Sequence, residues 1–309
     1  MTAVAGSPLR AGMAAVVALL VVGLFPATAG AQTPQTSPAA QGVAPTVSDP
    51  IVVTARPLPE RRKTLGWFGA ISGYPDGDEP LSRMTGALCI AGVGLPTDLL
   101  LGVADRIMQN AQRLGIALGG EKCRPNVVIL FVGNGAQQVR WLSDHRPGIF
   151  GNMQASEVSA MERDAGPVHA WNLTAITSRD GDQIFQMGDS LPTLHIPSAS
   201  RINLPIKSQI AAAVILIDRR AVNGKTIGQL GDYATMRALA VVRPRKVDGV
   251  STILSLFDAG GSAPEALTAF DWGYLRGLYS GQGDRRPYAQ YVSMAQFVEQ
   301  EIMTKATKP

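Results

Sequence analysis

Three histidines, two cysteines and a short serine-bearing stretch are the groups in this chain with chemistry to offer. His145, His169 and His195 stand far apart, and none has a second His or Cys at metal-ligand spacing. Residues 197–205 (PSASRINLP) gather Ser198, Ser200 and Arg201 beside His195. A hydroxyl nucleophile and an imidazole base there would suit a cell-envelope hydrolase; the flanking prolines equally describe an irregular edge strand or turn. No G-x-S-x-G elbow is present. The glycine turns at 92–96 and 133–136 complete no phosphate-cradling fingerprint. Asp180 and Asp182 do not extend into a calcium loop. The sequence therefore predicts no metal and no cofactor. Lys plus Arg number 28 against 24 Asp plus Glu, a net charge of +4. That excess is too small and too scattered for a nucleic-acid surface. The basic cluster at 56–63 has only Trp67 and Phe68 as aromatic companions, too few to stack bases. It suits solvated surface, or contact with anionic lipid or cell-wall polymer; a second basic cluster lies at 243–246.

The elements that must position such groups begin with an address. Arg10 precedes an apolar run at 13–25 (MAAVVALLVVGLF), which leads to Ala29-Gly30-Ala31. A basic start, a short apolar core and an A-x-A site predict a secretory signal peptide over 1–31, cleaved after Ala31. The run is shorter than the ~20 residues a helix needs to span a bilayer, so no membrane span is expected after cleavage. The protein is expected to be periplasmic or secreted. Residues 32–50, rich in Pro, Gln, Ser and Thr, read as a disordered tether. Export also places Cys89 and Cys123 in an oxidising space, where a disulfide between them is expected.

A single domain is predicted over 51–285, followed by a C-terminal helix within 286–309. Residues 51–54 begin as a strand. Residues 96–114 read as an amphipathic helix, with Pro96 and Asp98 at its start and Leu99, Val103, Ile107 and Leu114 on one face. Two unbroken β-branched runs, 126–132 and 210–217, predict buried strands. Residues 137–143 form a short helix, and 168–177 with 183–187 a β-hairpin about the turn at 179–182. Helices are expected at 226–242, at 267–279 with Thr268 as N-cap, and at 288–306. Helices and strands without a strict βαβα rhythm indicate an α+β class.

Residues 267–281 (LTAFDWGYLRGLYSG) resemble the closing helix of matrixins, the metzincin-type zinc peptidases, through Leu267, Thr268, Asp271, Leu275, Leu278 and Tyr279. Residues 251–258 (STILSLFD) sit where metzincins make their Met-turn, with Leu254 near the methionine position. The strand at 210–217 and the helix after it sit where such enzymes carry the zinc helix. The resemblance implies a metzincin-like mixed sheet with packed helices. Its zinc pattern H-E-x-x-H-x-x-G-x-x-H, aligned through Ala238-Leu239-Ala240, falls on Tyr233, Ala234, Arg237, Ala240 and Arg243. Arginine has five donors, no acceptor and a permanent charge; tyrosine ligates only as a phenolate, against a reference pKa of ~10; alanine takes no proton from water. The resemblance thus implies a catalytically vacant scaffold with no peptidase chemistry. Because metzincin clefts hold an extended peptide against an edge strand, Tyr233, Arg237 and Arg243 become a candidate basic groove for an extended peptide or an acidic envelope component. The alternatives are the Ser/His hydrolase above, and a ligand-free structural module with its guanidiniums paired to acids such as Asp232 or Asp248.

Overall fold

The two β-branched runs become inner strands of one sheet. A computed structural model describes residues 58–72, 79–182, 200, 202–243, 249–260 and 263–306. Among these, five strands and seven helices follow in the order α1 (Arg61–Ile71), β1 (Arg83–Met84), β2 (Ile90–Val93), α2 (Thr97–Arg113), β3 (Val127–Val132), α3 (Gly135–His145), α4 (Ala155–Arg163), β4 (Val168–Ser178), β5 (Ile206–Asp218), α5 (Ile227–Leu239), α6 (Ala269–Ser280) and α7 (Pro287–Ala306). The expected mixture of helices with a mixed sheet is present, and parallel pairing predominates. β3 runs parallel to both β2 and β5, and β1 runs parallel to β5. β4 alone is antiparallel, paired with β5 from Val168 to Ser178 with one register shift at Leu173/Thr174. β4 occupies one side of β5 along its length. On the other side β1 (opposite Gln209 and Ile210) and β3 (opposite Ala213 to Asp218) lie end to end. β4 is therefore an edge strand among the described residues, with β2 at the opposite edge beyond β3. Its partner here is β5; residues 183–187, expected across a hairpin, lie outside the described residues, as do the expected signal peptide, the expected tether and the expected strand at 51–54.

The sheet is covered on both faces, which is why its central strands lack polar alternation. Ala213, Ile215 and Ile217 of β5 face the main core with residues of α2, α5 and α6. Val214 and Leu216 face the opposite way, onto Trp171 of β4, Val139 and Leu142 of α3, and Val158 of α4. Cys89 and Cys123 form the expected disulfide, with Cα atoms 6.0 Å apart. It ties the start of β2 to the loop between α2 and β3.

α5 is buried on every side from Leu230 to Leu239, so its polar groups must find partners inside the protein. The Asp232 carboxylate accepts two bonds from Arg106 of α2, at 2.7 and 2.8 Å, and others from Asn110 and the Leu267 N–H. Hydrogen bonding to Asp232 raises Arg106 above the ordinary guanidinium value, against the effect of its own partial burial. Gly231 is needed here because a Cβ would lie 2.6 Å from the Arg106 side chain. α5 ends at Leu239, three residues earlier than expected. Ala240 is extended, Val242 bridges to Ser72, and Arg243 N–H bonds the Ile71 carbonyl. This extended pairing with the end of α1 accompanies the early end; Pro244 restricts only Arg243, the residue before it.

Thr268 caps α6 as expected, through a capping box with Asp271. Asp271 also accepts from the Thr252 hydroxyl at 2.5 Å and the Ile253 N–H at 2.8 Å. Burial pushes this carboxyl up; the hydrogen bonds oppose that shift. The 3-10 turn Ile253–Phe257 is thereby fixed to α6. The terminal helix joins the core: Met294 and Val298 of α7 pack directly over Gly277 and Gly273 of α6. Among the described residues no helix is long and apolar enough to cross a membrane.

Two stability measurements follow. Replacing both Cys89 and Cys123 by Ser lowers the unfolding free energy by about 2–4 kcal/mol, the usual effect of losing a native cross-link, in urea melts. Arg106→Ala strands the Asp232 carboxylate in the core and costs about 3–5 kcal/mol; a loss below 1 kcal/mol would show that water reaches that carboxylate.

Candidate functional site

A cleft of about 610 Å³ runs beside β4. Its upper wall comes from residues 152–164, including α4; its lower wall comes from α5, the chain after it and the 3-10 turn Ile253–Phe257. Tyr233, Arg237 and Arg243 all line it, and so does Leu254. These four residues are therefore neighbours in space. Tyr233 and Arg237 are one turn apart and share a helix face. Both are buried, with 2% and 7% of their surface exposed.

The Arg237 guanidinium is wedged between α5 and the edge strand. Its Nη1 donates to the Tyr233 hydroxyl at 3.0 Å, and its Nη2 donates to the Ala170 carbonyl of β4 at 2.9 Å. The charge also sits 5.9 Å from the Tyr233 ring centroid, at the outer limit of a cation–π contact. All these partners are neutral. Asp232, the acid adjacent in sequence, points to α2 and is held by Arg106; Asp248 lies outside the described residues. Among the described residues no carboxylate lies within ion-pair distance of Arg237. The Tyr233 ring is held in turn by an edge-on contact with Phe257, centroids 4.9 Å apart.

Arg243 differs. It lies at the cleft mouth, and its Nη2 meets Glu157 Oε1 of α4 at 3.2 Å, with both side chains exposed. Glu157 Oε2 accepts from the Gln154 N–H in the α4 capping box. Glu157, Asp164 and Asp258 also line the cleft. The candidate groove thus holds acids beside its cations: Arg237 has no acid within ion-pair distance among the described residues, and Arg243 is engaged across the mouth.

The histidines do not converge. His145 stacks on exposed Trp141 near the end of α3, ring centroids 4.6 Å apart. His169 is buried in the cleft wall, against Gly135 at the start of the same helix. Its Nε2 bonds the Asp164 carbonyl at 3.0 Å, and its Nδ1 has no partner among the described residues. His195 and Ser198 lie outside the described residues; the Ser200 hydroxyl accepts from the Ile202 and Asn203 N–H groups in a local turn. Among the described residues no three of His, Cys, Asp and Glu are grouped to hold a metal. Two contributors carried no usable signal in the sequence: the Ala170 carbonyl, which is main chain, and Glu157, which lies on a short helix the apolar pattern did not reveal.

The two cations predict opposite sensitivities. Tyr233→Phe leaves a buried guanidinium N–H without its acceptor and lowers stability by about 1–3 kcal/mol. Arg243→Gln opens an exposed pair and costs less than about 1 kcal/mol. Chemical denaturation of the two variants checks the order, and a reversed order would relocate the buried charge. No family model, no curated protein and no solved structure matches this chain.

Proposed function

We propose that this chain is an exported peptide-binding module of the cell envelope, built on a metzincin-like scaffold without zinc chemistry. The order of elements supports the reading: buried strand β5, buried helix α5, the 3-10 turn Ile253–Phe257, then capped helix α6. The convergence of Tyr233, Arg237, Arg243 and Leu254 on one cleft supports it further.

Zinc does not fit the residues at that place. Arg237 brings a fixed positive charge and no lone pair. The Tyr233 hydroxyl accepts a hydrogen bond from that same guanidinium. Ala234 is buried and has no proton acceptor. Positions 233, 234 and 237 therefore offer a metal-bound water neither ligands nor a base.

What remains is recognition. An open cleft beside an edge strand suits a chain in extended conformation, held by main-chain hydrogen bonds. The observation that carries the reading is the Arg237 guanidinium, buried in the cleft with only neutral partners among the described residues. An incoming carboxylate would complete a charge-assisted pair with it. The same observation disfavours a closed structural module, which would supply an internal acid.

Two measurements on the purified mature protein test this. Elemental analysis is expected to find zinc far below one ion per chain. Fluorescence anisotropy with extended acidic peptides is expected to show saturable binding that Arg237→Glu abolishes while circular dichroism stays native. Stoichiometric zinc, or binding indifferent to Arg237→Glu, would contradict the proposal.

A further inference from the structure

We infer that the cleft reads the C-terminal carboxylate of its peptide, with Arg237 and the edge of β4 as the terminus-recognition site. The inference rests on the peptide-binding reading above and narrows it to one kind of ligand end.

The register of β4 provides the first observation. The Pro167 carbonyl accepts from the Asp218 N–H at 2.9 Å, which makes these two a hydrogen-bonded pair. Antiparallel pairs alternate between bonded and non-bonded. Val168, Ala170 and Asn172, opposite Ile217, Ile215 and Ala213, therefore turn their N–H and C=O groups away from β5 and toward the cleft. No other described strand pairs with that edge. Among the described residues that edge is unpaired and open to one more strand.

The second observation is where that ladder is interrupted. Arg237 Nη2 already occupies the Ala170 carbonyl. A strand added along Asn172 and Thr174 meets the guanidinium on reaching Ala170 and cannot continue pairing past it. Past it only Val168, the first residue of β4, still turns its N–H and C=O outward. The cleft thus favours a chain that stops at Ala170.

Geometry then separates a terminus from an acidic side chain. Side chains of an added strand stand roughly perpendicular to the sheet, whereas its main-chain carboxylate lies in line with the ladder. The guanidinium contacts β4 through a ladder carbonyl, so it lies at the level of the ladder. The outward Ala170 N–H is a second donor beside it. A terminal carboxylate placed there accepts from both, and its charge answers a buried cation that lacks an acid among the described residues. The position is set before the ligand arrives: Asn172 Nδ2 donates to the Arg237 and Ala238 carbonyls at 3.0 and 3.4 Å, tying β4 to the end of α5. Preorganisation of this kind lowers the entropic cost of binding. Leu254 and Phe257 give the last residue an apolar wall.

The test uses the immobilised mature protein and a synthetic pool of random hexapeptides. One half carries free C-termini and the other half C-terminal amides; retained peptides are counted by mass spectrometry. The free acids are expected to be enriched about tenfold or more over the amides, as a charge-assisted pair implies. Arg237→Gln, checked for a native melt, is expected to erase that preference, and Arg237→Lys to keep part of it. Should Arg237→Gln fail to fold, the acid-to-amide ratio on the wild-type protein decides alone. Equal retention of acids and amides would overturn the inference and leave the peptide-binding reading standing. Enrichment of Asp- or Glu-containing peptides regardless of amidation would overturn it in favour of side-chain recognition. Retention of neither half would bring down the peptide-binding reading and this inference with it.

Discussion

A positive charge held inside a protein by neutral groups alone is the constraint on which the rest of this structure turns. Arg237 is removed from most of its water, and the hydroxyl and carbonyl that receive it return part of that loss but neutralise none of the charge. A buried ion left without a counter-ion is strongly unfavourable. Two solutions are open to a protein: an internal acid, or access for an external one. The acid adjacent in sequence, Asp232, is committed to Arg106, and Arg237 stays at the wall of an open cleft.

That division of labour follows from helix geometry. Asp232 and Tyr233 are successive residues of a helix buried all round, so their side chains leave in different directions. One direction leads to α2 and becomes a fully bonded internal ion pair. The other leads to the cleft and carries Arg237 with it, one turn later. The floor beneath is held by a separate buried acid, Asp271, which pins the 3-10 turn bearing Leu254 and Phe257 to the start of α6. Above, the Asn172 amide joins β4 to the helix end. The site is thus rigid on three sides and charged at its centre.

Much of the scaffold was legible in the residues. NVVILFV and IAAAVILI could only be inner strands, being apolar without alternation. Thr268 and Asp271 announced a helix start, and the two cysteines a cross-link. Tyr233, Arg237 and Arg243, singled out in the sequence, line one cleft. What stayed hidden is long-range or carried by the backbone. The partner of β4 is β5, whose pairing depends on where the chain returns after residue 200, not on the turn at 179–182. The α1 sequence RRKTLGWFGAI is disguised by its opening charges, and α4 has one buried apolar residue, Val158. The acceptor for Arg237 is a carbonyl 67 residues away, and Glu157 lies 86 residues from Arg243. No side-chain pattern encodes either meeting.

The state of the Arg237 charge is directly observable by NMR of the arginine side-chain N–H groups. Titration with acetate, the smallest carboxylate, should move the Arg237 resonance saturably and leave Arg106, already neutralised by Asp232, unmoved. An Arg237 resonance indifferent to acetate, or one that moves no more than Arg106, would mean that the buried cation has no vacancy for an external anion, and the account of the cleft as a recognition site would be wrong.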